Sequence, residues 1–253
     1  MRPATALAKS SSVTHADYYD AHAEEYCRTT VGLDMSSVYP RFLAELPPGA
    51  LIADAGCGSG RDTKAFLERG YRVTSFDASP QMADLATAYT GQTCHVLRFQ
   101  DVEFRNHFDG IWACASLLHV PKREMLGALR RLMTGLKPGG ILYASFVEQE
   151  GERIAPDGRL YNSYTTESFR RLLAKLSTIR EVTSWRSEEI SSSAKRAPWL
   201  NFLLKKTTRQ RRRFLPVSTN APNQIRSEAH PSDAAETAAR TSPDAAGDRR
   251  TIP

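Results

Sequence analysis

Three glycines on alternate positions mark the clearest chemistry in this sequence. They belong to the run Asp-Ala-Gly-Cys-Gly-Ser-Gly, which contains Asp54, Gly56, Gly58 and Gly60. An apolar strand pattern ends at the first residues of this run, and a helical pattern begins directly after the run, at Arg61. Glycines let a ligand approach the backbone, and the helix N-terminus behind them presents N–H groups. The run predicts a cradle for a nucleotide or nucleoside, although a glycine-rich loop that only makes a tight turn has the same composition.

The residue after the third glycine separates two kinds of nucleotide site. The dinucleotide fingerprint G-x-G-x-x-G places its third glycine where this chain has Arg61, so NAD and FAD are disfavoured. Asp77 ends the next strand pattern, 21 residues after Gly56. A carboxylate at that place accepts hydrogen bonds from both hydroxyls of a ribose, whereas an isolated aspartate there is an ordinary strand-end turn former.

Two more polar residues are expected at the same edge of the sheet. Asp101, in Gln-Asp-Val, closes the third strand pattern, where it is a candidate acceptor for an adenine amine, a helix cap or an exposed turn residue. His119 follows the fourth strand pattern and is the best placed candidate for a general base. A histidine at this position also serves simply to hydrogen-bond its loop or to contact a cofactor.

The elements that position these residues alternate between apolar, β-branched runs and helical patterns, which indicates strand-helix-strand units and a mostly parallel sheet. Proline after a capping serine predicts a helix from Ser79-Pro80 to Gly91, and Lys-Pro-Gly-Gly at 137–140 predicts a turn after a helix over 121–136. The strands predicted before residue 148 are 51–55, 71–77, 95–99, 108–115 and 141–146.

The pattern changes beyond residue 148. We expect a polar loop to about residue 164, then an amphipathic helix over 166–176 and strands over 179–189 and 199–206. At the front, residues 18–26 predict one short helix. Its tyrosines are candidates either for shielding a ligand or for packing the helix on the domain: Tyr18, Tyr19 and Tyr26.

Composition limits the class of protein. The net charge is +6, yet the basic excess is concentrated from Lys205 onward, with 10 Lys and Arg against 5 Asp and Glu, which leaves 24 against 23 before that residue.

Residues 1–16 and 208–253 are too poor in large apolar side chains to order, so both are predicted to be disordered. No run is long enough to cross a bilayer, no secretory leader is evident, and the scattered cysteines predict free thiols without a metal site in a cytoplasmic protein.

The motifs together resemble class I S-adenosylmethionine-dependent methyltransferases, nearest the tellurite-resistance-related and ubiquinone-biosynthesis-like branches. They are DAGCGSGRD at 54–62, SFDASPQM at 75–82, FDGIWACASLLHVP at 108–121 and LKPGG at 136–140. The resemblance covers residues 17–207 and implies a Rossmann-like, doubly wound α/β sheet of seven strands in which only the last is antiparallel.

The resemblance also implies the cofactor, S-adenosyl-L-methionine, and its contacts. Asp54 and the three glycines would approach its methionine moiety, Asp77 its ribose, and Asp101 with Val102 its adenine. Arg61 would pair with its carboxylate or form a surface ion pair. Ala78 and Ser116 complete the expected cofactor-binding set.

The sequence says less about the methyl acceptor than about the cofactor. A near-neutral core, the absence of an Asp/Asn-Pro-Pro-aromatic motif after the fourth strand and the absence of a Pro-Cys dipeptide disfavour a nucleic-acid substrate. Arg153, Arg159, Tyr161, Asn162 and Tyr164 lie in the predicted loop after the fifth strand, where the last three would orient a small polar acceptor or only pack the loop. Two alternatives stay open: an RNA or protein methyltransferase docking through the basic tail, and a non-catalytic domain that binds the cofactor.

Overall fold

The computed structural model describes residues 15–187 and 198–207. The predicted disordered N-terminus and basic tail lie outside these residues, except that His15 and Ala16 already begin the first helix. Within the described residues no helix is long and apolar enough to cross a membrane.

Nine strands and seven helices are described. The strands are β1 Leu51–Ala55, β2 Arg72–Asp77, β3 Cys94–Val96, β4 Phe108–Ala113, β5 Leu136–Val147, β6 Gly151–Ile154, β7 Leu160–Ser163, β8 Ile179–Ser187 and β9 Trp199–Lys206. The helices are α1 His15–Ala21, α2 Ala23–Thr30, α3 Tyr39–Leu43, α4 Arg61–Glu68, α5 Pro80–Thr90, α6 Lys122–Gly135 and α7 Thr166–Leu173.

Seven of the described strands form one sheet in the order β3-β2-β1-β4-β5-β9-β8. The pairs among β1 to β5 are parallel, and β9 runs antiparallel between β5 and β8. The predicted seven-stranded α/β sheet with an antiparallel last strand is therefore confirmed. The strand order reverses between β1 and β4, and ligands of doubly wound sheets bind at the carboxyl ends of the strands at such a point.

Local sequence signals account for the helix ends near the site. Ser79 caps α5 by accepting the backbone N–H of Met82, and Pro80 occupies the first turn, where its missing N–H costs no hydrogen bond. Gly91 ends the same helix in the left-handed conformation, at φ 72°. Helix α5 is thus held at both ends by residues that the sequence alone identifies.

The sheet separates two apolar cores. One packs α6 and α7 against the sheet around Phe146, Phe169 and Phe202. The other packs α3 and α4 against the opposite face, where Trp112 of β4 stacks on Tyr143 of β5 with ring centroids 3.9 Å apart. Both rings are fully buried, so the central strands form a rigid platform beneath their carboxyl ends.

Several predicted boundaries are wrong. The third strand covers 94–96 instead of 95–99, and Phe99–Asp101 form a 3-10 turn after it. Residues 137–140 do not follow a helix directly, because β5 already begins at residue 136 and Lys-Pro-Gly-Gly forms an irregularity within that strand. The predicted single N-terminal helix is two helices, separated at His22.

The polar loop predicted after residue 148 is also wrong, because β6 and β7 form an antiparallel hairpin there. Both strands have only four residues and β6 carries two charged side chains, which weakens the alternating apolar signal from which a strand is recognised. Residues of the hairpin line a cavity at the carboxyl ends of the central strands.

Candidate functional site

A cavity of about 620 Å³ opens at the carboxyl ends of the central strands. The glycine loop after β1 forms one wall, α1 and α2 contribute Tyr19 and Tyr26, and the β6–β7 hairpin contributes Arg159 and Tyr161. The volume is within the range of small-molecule sites, about 300–1,000 Å³. The N-terminal helices and the hairpin thus partly enclose a space that the glycine loop faces.

The glycine loop is fastened to the neighbouring strand. The N–H groups of Gly56 and Cys57 both donate to the carbonyl of Phe76, at 2.8 and 3.0 Å. Gly56 and Gly58 have φ values of 74° and 53°, which disfavour any side chain. A Cβ on Gly58 would lie 3.4 Å from Tyr26 of α2, so this glycine leaves room at the cavity surface.

Asp77 ends β2 beside that loop and is not the solvated carboxylate that its place at a strand end suggests. Its carboxylate accepts the N–H of Gly58 and the N–H of Ser79, each at 3.0 Å. Burial raises the pKa of Asp77 above its ordinary value, and these backbone hydrogen bonds oppose that rise. Asp77 therefore holds the loop in place from beside the cavity, whose wall it does not reach.

Arg61 and Asp62 open α4 as a pair turned inward. The guanidinium makes two hydrogen bonds to the Asp62 carboxylate, at 2.7 and 2.9 Å, and both side chains are largely buried. Asp62 also accepts from the hydroxyl of Tyr39 and the indole N–H of Trp112. Burial alone would raise the pKa of Asp62, but Arg61 and these donors together lower it. Arg61 thus stands at the cavity wall in a buried ion pair, not a surface one.

Asp54 lies just beneath the loop. It is buried, and the hydroxyl of Thr63 donates to it at 2.6 Å. Burial, reinforced by the nearby charge of Asp62, raises the pKa of Asp54 to about 8. Asp54 does not line the cavity, so it supports the loop from behind.

His119 is joined to the N-terminal helices. Its Nδ1 lies 2.7 Å from the carbonyl of Leu160, and its Nε2 lies 3.1 Å from the hydroxyl of Tyr19. Because a carbonyl only accepts, Nδ1 carries the proton, and in the neutral ring Nε2 accepts from Tyr19. Burial raises the pKa of Tyr19 well above its ordinary value, so its hydroxyl is the donor. The contact connects α1 to the hairpin through a histidine that lines the cavity.

The three residues after β5 that are predicted to orient an acceptor or to pack their loop point in two directions. Tyr161 lines the cavity, whereas Asn162 and Tyr164 do not. Asn162 is fully buried and donates to the carbonyl of Val120 and to the hydroxyl of Tyr164. Tyr164 packs against Phe146. Side chains alternate across a strand, so Asn162 and Tyr164 turn toward the core, which agrees with the packing alternative for these two residues and places them away from the cavity.

Other predicted cofactor residues lie outside the cavity wall. Asp101 is exposed and pairs with Arg98 at 2.7 Å, while Val102 is buried in the core. Ser116 is buried and donates to the carbonyl of Ala55. Ala78 is half-buried after β2, and Gly60 is the left-handed residue before α4.

Tyr18 also lies outside the cavity wall and stacks on His22 with ring centroids 4.3 Å apart. The structure therefore brings together Gly56, Gly58, Arg61, Tyr19, Tyr26, His119 and Tyr161.

Sequence reasoning missed the part of the wall made by β5 and β9. Ser145 of β5 pairs in register with Asn201 of β9, and both line the cavity. The Ser145 hydroxyl accepts the N–H of Ala115, and Asn201 accepts from Tyr143. Polar residues at alternate positions near the end of a buried strand are the signal that would have found Ser145. Among the described residues no cluster of metal-ligating side chains is present.

Comparison with known proteins agrees with this geometry. Residues 52–140 match the family model of a methyltransferase domain. The chain is 30% identical over 124 residues to the 2-methyl-6-phytyl-1,4-hydroquinone methyltransferase of Synechocystis sp., which covers 45% of this chain and 37% of the relative. It is 32% identical over 105 residues to the ubiquinone biosynthesis O-methyltransferase of Xanthomonas campestris, which covers 39% of this chain and 43% of the relative.

A solved structure extends the similarity of the fold. The 1,6-didemethyltoxoflavin-N1-methyltransferase of Burkholderia thailandensis superposes with a TM-score of 0.64 at 23% identity, over 82% of this chain and 94% of that one. The chain spans less than half the length of the two sequence relatives described above.

The sheet order and the glycine loop agree with the match to the methyltransferase domain, whose matched portion, residues 52–140, runs from β1 to the start of β5.

Proposed function

We propose that this protein is an S-adenosylmethionine-dependent methyltransferase acting on a small-molecule acceptor. The observation that carries the proposal is the positive-φ glycine loop, held by Asp77, at the wall of a partly enclosed cavity in a methyltransferase domain. The two sequence relatives, whose names specify quinol and ubiquinone-pathway chemistry, support a small acceptor.

The residues present fit the cofactor. Gly56 and Gly58 offer bare backbone, and Asp77 offers carboxylate oxygens suited to a ribose diol. Arg61 lines the cavity beside them. Its Nε and one terminal nitrogen bind Asp62, and the other terminal nitrogen lies 3.5 Å from the carbonyl of Thr30. That last nitrogen is the group we assign to the cofactor carboxylate.

When bound, S-adenosylmethionine supplies a methyl group on a sulfonium, which an acceptor lone pair takes in an in-line displacement. The chain's own task is to orient the two reactants and exclude water. Tyr19 and Tyr26 of α1 and α2 cover the glycine loop side of the cavity, and burial raises the pKa of Tyr26 to about 12, so it stays neutral.

His119 has a defined place in this scheme. His119 lines the cavity and its Nε2 is engaged by the Tyr19 hydroxyl, so it can receive an acceptor proton only when that hydroxyl turns away or passes the proton on. We assign His119 first to holding α1 over the site, and to proton removal only for an acceptor that displaces Tyr19.

The test begins with ligand binding. Purified protein should bind S-adenosylhomocysteine in calorimetry and show no measurable affinity for NAD. Gly58→Val should abolish that binding, because its side chain meets Tyr26 and the backbone has a positive φ. Gly70→Val is the matched control, since Gly70 also has a positive φ, 82°, but faces open space.

Transfer is tested separately with S-adenosylmethionine carrying a radioactive methyl group and a small-metabolite extract. Label should appear in the small-molecule fraction with wild-type protein and not with Gly58→Val. Tight binding without transfer to any small molecule would contradict the enzymatic proposal, and tighter binding of NAD than of S-adenosylhomocysteine would contradict the cofactor.

A further inference from the structure

The hairpin places two guanidinium groups at the outer part of the cavity wall. Arg153 lies over the ring of Tyr161 with its central carbon 4.6 Å from the ring centroid, and Arg159 lies 5.4 Å from the same centroid. All three residues line the cavity. Stacking on one aromatic ring restrains both cations at the wall of the site.

These cations are not matched by acids inside the cavity. Among the described residues, the only carboxylate in its wall is that of Asp62, which Arg61 already neutralises. Asp157 pairs with Arg159 at 2.7 Å but lies outside the wall. Within residues 15–187 and 198–207, Arg153 forms no ion pair. The unpaired positive charge at the hairpin end of the cavity is therefore that of Arg153, because Arg159 is already paired with Asp157.

The surfaces next to the two arginines are flat and aromatic. His119 contacts Tyr161 and Tyr19 through ring edges, with centroids 5.2 and 5.6 Å apart. Both tyrosines remain neutral because burial raises the pKa of each phenol. A planar ligand would thus meet aromatic walls, and an anionic substituent at one end would meet guanidinium groups.

We propose that the methyl acceptor is a planar aromatic molecule with a carboxylate or phosphate group, which Arg153 binds beside the Asp157-paired Arg159. This inference rests on the proposed methyltransferase function and specifies its substrate class. Guanidinium groups bind both oxyanions through paired N–H donors, and such charge-assisted hydrogen bonds are stronger than neutral ones. The anion at the hairpin would direct the opposite end of the molecule toward His119 and the glycine loop.

The experiment compares charged and neutral ligands of the same shape. Protein saturated with S-adenosylhomocysteine is titrated in a calorimeter with hydroxybenzoates, hydroxyphenyl phosphates and the primary amides of the same benzoates. We expect at least one anionic member to bind about tenfold or more tightly than its neutral counterpart, which corresponds to about 1.4 kcal/mol.

Variants then assign the effect to the hairpin. Arg153→Gln should remove most of the preference for the anion, and Arg153→Lys should keep part of it, because a lysine retains the charge without the paired donors. Arg130→Gln, at an exposed position of α6, is the matched control and should change nothing. Each variant should keep the melting temperature and the S-adenosylhomocysteine affinity of the wild type.

The outcomes separate this inference from the proposed function. If S-adenosylhomocysteine does not bind, the proposed function is refuted. If it binds but no anion binds better than its amide, or if Arg153→Gln leaves the preference unchanged, the anionic acceptor is refuted while the methyltransferase function stands.

Discussion

Removing the carboxylate of Asp77 should weaken both the glycine loop and its ligand. The side chain accepts the N–H groups of Gly58 and Ser79, each at 3.0 Å. A donor left without its acceptor costs about 1–3 kcal/mol when buried, and water from the cavity will restore part of this loss. We expect Asp77→Ala to lower the free energy of unfolding by about 2 kcal/mol, or the melting temperature by roughly 4–8 °C.

The same substitution removes the proposed acceptor for the ribose hydroxyls. Hydrogen bonds to a charged group contribute about 1.5–3 kcal/mol net, so S-adenosylhomocysteine should bind roughly 10 to 100 times more weakly. Asp77→Asn is the matched control. It keeps the shape and one acceptor oxygen, so it should lose less stability than Asp77→Ala while still losing the charge-assisted part of the affinity.

Two measurements on the same samples separate the roles, thermal unfolding of the free protein and calorimetry with S-adenosylhomocysteine. A fall in affinity with an unchanged melting temperature would show that the backbone hydrogen bonds of Asp77 do not hold the loop. An unchanged affinity in Asp77→Ala would refute the assignment of this residue to the ribose.

Three other predictions concern groups around the loop. Because burial, together with the charge of Asp62, raises the pKa of Asp54 from its ordinary value of 3.8 to about 8, the folded state binds a proton that the unfolded state releases. The free energy of unfolding should therefore fall as the pH rises between these two pKa values, by at most about 1.4 kcal/mol per pH unit. Asp54→Asn should flatten that dependence in denaturant titrations at several pH values. An unchanged slope would contradict the raised pKa of Asp54. Asp62→Ala should cost about 3–5 kcal/mol in the same titrations, because it leaves Arg61 largely buried without its partner, and a loss below about 1 kcal/mol would show that Arg61 is rehydrated. Tyr19→Phe and His119→Ala should each lower the melting temperature. The double variant should lose less stability than the sum of the two single losses, because both substitutions remove the same hydrogen bond. Additive losses would mean that the two residues are not coupled.

Much of the glycine-loop side of the cavity could be predicted from sequence because its signals are local. The strand before the glycine loop, the loop itself and the cap of α5 at Ser79 all depend on residues within a few positions of one another. The alternation of strands and helices likewise predicts the doubly wound sheet, since a parallel pair needs a crossover between its strands. The position of Asp77 at the end of β2 follows from the same pattern.

Tertiary structure alone decided which of these side chains meet. Tyr39, Asp62 and Trp112 come from α3, α4 and β4, and no short-range pattern indicates that they share a buried hydrogen-bond network. The positions of Asp101 in solvent and of Asn162 in the core depend on a strand end and a hairpin that the sequence pattern does not specify.

The hairpin shows the physical reason. Two strands of four residues, one of which carries charged side chains, gain too little from local propensity to be recognised, and they form because they pair with each other in a separate two-stranded sheet. That pairing carries Arg153, Arg159 and Tyr161 to the cavity, far from the glycine loop in sequence. The sequence by itself therefore determines the glycine loop and the strand before it, whereas long-range packing decides the shape and charge of the hairpin side of the cavity.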